Sequence, residues 1–198
     1  MNVIRWKIVP YIVLAVVAIV SLVNWFFSDR LFTFEFVIDC IVKSVSLITV
    51  LSGMFCAHFW KCKLFSKWLV LVPDLNGKWT GYICSDWIDP QTGEKAPNVI
   101  ANLTIKQSLF KTSCVIKSNE SSSRSLVSQF LIDEENQVLK LTYIYQNEPD
   151  QIIQDRSRIH FGTTMFDICY RNNGYVLTGK YWTNRGTSGQ IKFSCQEK

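Results

Sequence analysis

Two hydrophobicity regimes divide the chain. Residues 8–27 (IVPYIVLAVVAIVSLVNWFF) pass without a charge. At about 1.5 Å per residue, such a run matches a hydrocarbon core about 30 Å thick. Ser28-Asp29-Arg30 makes a short polar break, and residues 31–60 are again mostly apolar. Two apolar helices, about 8–27 and 31–60, joined by so short a connection must lie antiparallel. Pro10 falls in the first turn, where its missing N–H costs little. The first run is long for a signal-peptide core, and Val23-Asn24-Trp25-Phe26-Phe27 offers no small-residue cleavage site.

After Pro73 the helical period disappears. Short stretches rich in β-branched and aromatic residues alternate with turn clusters. The pattern predicts strands near 77–85, 98–107, 110–118, 125–132, 138–146, 157–161, 165–170, 175–183 and 188–195. Breaks fall at Asp89-Pro90-Gln91-Thr92-Gly93, at Asn119-Glu120-Ser121-Ser122-Ser123 and at Asn172-Asn173-Gly174, where Asn-Gly is the strongest hairpin signal. Eight or nine short strands with tight turns form an antiparallel meander. In about 125 residues, the economical way to remove its edges is closure into a small barrel of about eight strands, with room for side chains or one small ligand. The expected organisation is a two-helix transmembrane region over 1–72 and a cytosolic, lipocalin-like all-β barrel over 73–198. In residues 138–145, Leu139, Leu141, Tyr143 and Tyr145 share one face while Val138, Lys140, Thr142 and Ile144 share the other. Both faces mix polar and apolar groups, so the pattern leaves the inner face open.

Charge refines this picture. Of the formal +5, most lies before Pro73: Arg5, Lys7, Arg30, Lys43, Lys61, Lys63 and Lys67 against Asp29, Glu35 and Asp39. Bases flank the hairpin at both outer ends, which by the positive-inside rule places both termini in the cytoplasm. The remainder is nearly neutral, without the basic footprint of a polynucleotide binder. It retains enough arginine to hold a small ligand's phosphates. Glu35, Asp39 and Lys43 recur every four residues on one face of the second helix. They are either an interfacial turn with an ordinary i,i+4 pair or a stripe that faces a partner helix and serves membrane assembly.

Catalytic chemistry is scarce. The chain has two histidines, His58 and His160, and none of the HExxH, GxSxG, P-loop or dinucleotide-loop motifs. Seven cysteines without a CxxC pair argue against a zinc site or disulfide framework. No catalytic residue, metal or cofactor is expected. Candidate ligand-binding groups are Tyr143, Tyr145, Arg156, Arg158, Trp182, Thr183, Asn184 and Arg185, because aromatic faces suit bases and guanidinium suits phosphate. Trp182 as a core plug and Arg185 as a solvated turn residue are the plain alternatives.

The order of parts carries a resemblance. A two-helix hairpin precedes Asn76-Gly77-Lys78-Trp79-Thr80-Gly81, and the meander ends in Tyr181-Trp182-Thr183-Asn184-Arg185-Gly186. The chain resembles the bacterial two-transmembrane, β-strand-rich CD-NTase-associated proteins of CBASS anti-phage defence. Gly-x-Trp alone also opens lipocalin barrels. The resemblance implies a barrel that binds a cyclic dinucleotide made by a partner CD-NTase. It also implies homo-oligomer formation by the helices within the lipid bilayer of the inner membrane, membrane disruption and abortive infection. The competing reading is a membrane-tethered lipocalin-like carrier or scaffold for an apolar ligand or a protein partner.

Overall fold

A computed structural model describes residues 3–27, 33–153, 157–171 and 174–197. The chain divides into two compact units, Asn2–Pro73 and Asp74–Lys198.

The first unit is built on α1 (Val9–Phe27) and α2 (Phe34–Ala57), both long and apolar enough to cross a bilayer. Thr33 caps α2, its hydroxyl accepting from the Phe36 N–H at 3.4 Å. Glu35 sits in the first turn, where a carboxylate suits the helix dipole. The α-helix ends at Ala57, and two 3-10 turns, Phe59–Lys61 and Lys63–Phe65, follow. The helical run is thus shorter than its apolar stretch, and Trp60 is buried in the turn that ends it. Only Phe36, Cys40 and Ser44 of α2 are buried, and no residue of α1 is. Nearly all of the apolar surface of both helices is left uncovered within the unit. The sequence pattern did not disclose a short two-stranded clasp. Arg5 N–H bonds the Leu69 carbonyl at 2.9 Å and Leu71 N–H bonds the Val3 carbonyl at 2.9 Å. Val3, Ile4, Leu69, Val70 and Val72 are buried around it.

The second unit is a closed antiparallel barrel in which each strand pairs with the next and the last with the first. The strands are β1 (Gly77–Ser85), β2 (Val99–Gln107), β3 (Thr112–Ser118), β4 (Ser121–Asp133), β5 (Val138–Pro149), β6 (His160–Arg171), β7 (Gly174–Thr183) and β8 (Ser188–Glu197). Two expected breaks are not breaks. In place of separate strands at 157–161 and 165–170 there is one, β6, which starts only at His160 and runs on through Gly162, in register opposite Tyr145 and Thr183. The serine cluster at 121–123 belongs to β4, pairing with β5 from Pro149 to Asn147. A bulge between Ser125 and Val127 then re-aims the strand. β6 and β7 register Arg171 against Gly174, and the Asn172-Asn173 turn lies outside the described residues.

Burial settles the inner face. Leu141, Tyr143 and Tyr145 point inward, beside Trp79, Leu103, Ile105, Phe166, Leu177, Ile191 and Phe193, each 8% exposed or less. The end where β1 begins is plugged. The Trp79 indole N–H bonds the Leu75 carbonyl at 3.1 Å, and Leu75 N–H bonds the buried Gln107 side-chain oxygen at 2.8 Å. Asn76 donates from its side chain to the Gln107 carbonyl at 2.9 Å and accepts from the Gln107 N–H at 2.7 Å. This pairing of buried polar groups seals that end with Leu75 and Leu109 as its stopper.

Candidate functional site

The opposite end of the barrel has a different lining. It is bordered by the segments joining β1 to β2, β3 to β4, β5 to β6 and β7 to β8. At this end the inward positions turn polar: Ser85, Ser118, Ser121, Ser123, Asn147, His160, Tyr181, Thr183 and Thr187. All but Ser123 are only half-buried, so the mouth presents hydroxyls and amides above an apolar floor.

Two tyrosines lie across glycines there. A Cβ on Gly162 would stand 2.4 Å from the Tyr145 hydroxyl oxygen, and one on Gly189 would stand 2.7 Å from the Tyr181 ring. Each ring occupies the space that a side chain on the neighbouring strand would otherwise fill. Below them, Tyr143 packs against Tyr145 and Phe166 with ring centroids 6.1 and 6.0 Å away. Its hydroxyl is buried without a hydrogen-bond partner among the described residues. Thr164, the residue opposite it on β6, is close enough to ease its ionisation slightly but falls short of hydrogen-bond geometry. Burial pushes the Tyr143 phenol far above its ordinary pKa, and burial likewise raises Tyr145 and Tyr181. All three are neutral donors at physiological pH.

The β7–β8 turn is held rigidly. The Thr183 hydroxyl accepts from the N–H groups of Arg185 (3.2 Å) and Thr187 (3.3 Å) and lies 2.7 Å from the Thr187 hydroxyl. Gly186 takes the positive φ of 75° that the turn needs. Asn184 prolongs the pairing to β6, its side chain accepting from the Phe161 N–H at 3.1 Å and its N–H donating to the Phe161 carbonyl at 2.9 Å. The Arg185 guanidinium then reaches Ser157 in the β5–β6 segment at 3.0 Å. His160 Nδ1 lies 3.0 Å from the Arg158 carbonyl, and Arg185 stands 3.5 Å from the same nitrogen. Neither Arg158 nor Arg185 makes an ion pair with a described residue. Both are therefore available to an anion.

The structure places Tyr143 and Tyr145 inside the barrel and Thr183, Asn184, Arg185 and Arg158 at its polar mouth. It turns Trp182 onto the outer wall, 45% exposed. Trp182 alternates with Tyr181 along β7, so the two cannot share a face. Arg156 lies outside the described residues. The sequence reading missed Tyr181, His160, Ser157 and the serines of β4. A parity signal for Tyr181 was present, whereas the serines resembled a turn.

The helical unit has a polar cluster of its own. Asn24 of α1 donates to Asp39 Oδ2 at 3.1 Å and to Cys40 Sγ at 3.2 Å, and its oxygen accepts from Lys43 Nζ at 2.8 Å. Lys43 and Asp39 pair at 2.7 Å. Asp39 and Lys43 are thus knotted to α1 through a residue the sequence reading passed over. Glu35 lies exposed one turn earlier, outside that knot. Among the described residues no group of three or more potential ligands could hold a metal ion.

Comparison with known proteins agrees with this anatomy. Residues 70–195 match the family described as "Cap15, cyclic dinucleotide receptor domain". The chain is also 27% identical over 155 residues to the "CD-NTase-associated protein 15" of Staphylococcus schleiferi, covering 78% of each protein. With that domain matched from the end of the helical unit through almost the whole barrel, the chain belongs to the Cap15 cyclic dinucleotide receptor domain family.

Proposed function

We propose that this protein is a CBASS effector whose barrel mouth binds a cyclic dinucleotide and whose helical hairpin carries out the membrane step. The observation that carries the reading is the contrast between the two ends of the barrel. One end is stoppered, and the other offers neutral tyrosines, hydroxyls and two arginines that pair with no carboxylate among the described residues. A cyclic dinucleotide needs aromatic faces for its bases and cationic donors for its two phosphates. In this reading Tyr145 and Tyr181 meet the bases, Arg185 and Arg158 meet the phosphates, and Thr183 and Asn184 fix the turn that holds Arg185. Arg156 joins them through its position beside Ser157 in sequence. A carrier of apolar molecules would have little use for a hydroxyl-lined mouth.

The membrane step follows from the same family reading. Both termini lie in the cytoplasm, the hairpin spans the inner membrane, and ligand binding drives homo-oligomer formation that disrupts the bilayer. The ligand must favour the assembled state over the resting one, or no population shifts. The Asn24–Asp39–Lys43 knot keeps three polar groups satisfied within one hairpin, and Glu35 remains for contact with a neighbour. No catalytic step is assigned to the chain.

The test is a thermal-shift measurement on the full-length protein in detergent with a panel of cyclic dinucleotides and their linear counterparts. A melting-temperature rise with at least one cyclic member, reduced in Arg185→Lys, supports the proposal. No shift with any member of the panel refutes it.

A further inference from the structure

The outer wall of the barrel carries an apolar patch that the ligand site does not use. Val127 on β4 registers with Ile144 on β5, Ile144 with Thr163 on β6, and Thr163 with Trp182 on β7. Leu126 at the bulge and Phe161 one step along β6 adjoin this row. The five apolar members are 45–64% exposed. Together they present on the order of 500 Å², within the range of the largest patch on a typical monomer, which is often functional. A standard interface takes about 800 Å² from each partner. Gln129, Thr142 and Thr163 around the patch supply uncharged polar area toward that total.

The charges bordering the patch are arranged for self-recognition. Along the outer face of β5, Lys140 and Glu148 lie four residues to either side of Ile144. Lys140 pairs with Asp167 at 3.1 Å and Glu148 with Arg124 at 2.9 Å, so each end of the patch is bounded by an ion pair. A two-fold axis crossing β5 at Ile144, in the plane of the interface and at right angles to the strand, sets each copy's Lys140 opposite the other's Glu148. An axis along the strand would instead set like charges together. Aligned sheets cross at about 30°, which displaces groups about 13 Å from the axis by about 7 Å, a gap two long side chains span. The centre holds no charge, as the core of an interface requires.

We infer that this wall is an isologous interface with a second copy of the same chain, centred on Ile144 and flanked by Val127 and Trp182. The inference rests on the receptor reading only for its purpose, since it names the surface through which bound barrels associate. Alternation along β5 connects the two sites: Tyr143 and Tyr145 face the lumen while Ile144 faces the partner.

The test is cysteine cross-linking of the full-length protein in bacterial membranes, with and without the cyclic dinucleotide panel. The lanes are the unmodified chain, Ile144→Cys, and Ile100→Cys, which replaces a 72% exposed residue on distant β2. Packed sheets stand about 10 Å apart, so a short bis-maleimide joins two copies of residue 144. The expected result is a covalent dimer from Ile144→Cys at several-fold the yield of the other two, in either condition. Equal yields at both positions, or no dimer at 144, overturn the inference. Thermal shifts recorded on the same variants separate the two claims. A ligand shift without a 144-linked dimer refutes the interface alone, and a 144-linked dimer without any ligand shift refutes the receptor reading alone.

Discussion

Tyr143→Phe isolates the energetics of the lumen floor in one atom. The Tyr143 side chain is 2% exposed, and its hydroxyl has no hydrogen-bond partner among the described residues. Leaving a buried polar group unsatisfied costs about 1–3 kcal/mol, whereas Phe keeps the ring and its contacts with Tyr145 and Phe166. The substitution is therefore expected to stabilise the ligand-free barrel by about 1–2 kcal/mol. For a domain of this size that corresponds to a rise of roughly 3–10 °C in melting temperature. The assay is thermal unfolding of the full-length chain in detergent, followed by near-ultraviolet circular dichroism, which reports the aromatic packing of the barrel core. A fall in melting temperature would refute the reasoning, because it would mean that the hydroxyl gains more from a partner than it loses by burial. Binding supplies an independent arm. If a ligand reaches the floor and takes this hydroxyl as a donor, Tyr143→Phe weakens affinity by about twofold to tenfold while raising the stability of the free protein. Unchanged affinity would place the ligand wholly above Tyr145.

Other consequences are as direct. Gly162→Ala forces a Cβ against the Tyr145 hydroxyl and the Trp182 carbonyl, so the barrel should lose about 1–3 kcal/mol in thermal melts and bind ligand less tightly; stability equal to that of the parent would contradict the placement of the ring. Arg185→Lys should leave stability within about 0.5 kcal/mol, since the side chain is exposed, yet lower ligand affinity by about tenfold or more in titration calorimetry. Burial pushes the Cys114 thiol up to about 12. A raised folded pKa means stability that is complete below the unfolded value, about 9, and is lost as pH rises toward 12, at roughly 1.4 kcal/mol per pH unit. Cys114→Ala should flatten that alkaline decline in denaturation curves, and an unchanged slope would refute the assignment. Asn24→Leu removes the α1 member of the polar knot, so membrane permeabilisation in liposome leakage should change while ligand affinity stays as it was; unaltered leakage would show that the knot has no part in the membrane step.

Architecture was legible in the sequence because it rests on long-range pattern. Two apolar runs of bilayer length separated by a short polar break, and a change of period from helical to strand, need no tertiary information. The lining of the lumen was not legible, and the reason is local. Along β5 the alternation places Tyr143 and Tyr145 on one face and Ile144 on the other, but Thr142 and Lys140 blur the contrast that normally separates wall from core. Only closure, which buries Leu141 completely, breaks the tie. The serines at 121–123 read as a turn because their composition is a turn's. They pair as strand because β5 extends to Pro149 to meet them. Trp182 was grouped with its neighbours by proximity in sequence, although a strand sends adjacent residues to opposite sides. Asn24 escaped notice because a single amide in an apolar helix has no pattern. Its meaning depends on Asp39 and Lys43, fifteen and nineteen residues away.

The separation of faces also bears on how a bound ligand could be felt outside the barrel. Strands β5, β6 and β7 carry mouth residues and wall residues in strict alternation: Tyr145 beside Ile144, Gly162 beside Phe161, Tyr181 beside Trp182. A strand is stiff along its length, and the lumen floor is close-packed through Phe166 and Phe193, whose rings meet at 6.0 Å. A ligand that tightens the mouth by engaging Tyr145 and Tyr181 must therefore fix the twist of the very strands that present Ile144 and Trp182. Coupling of this kind is reciprocal: if ligand raises association at the wall, that association raises ligand affinity by the same factor. Ligand affinity measured over a range of protein concentration then discriminates between a wall that only touches and a wall that communicates. Affinity that rises with protein concentration in the parent, but stays constant in Ile144→Asp, requires the second. Affinity independent of concentration in both would leave the membrane hairpin as the sole route from ligand to assembly.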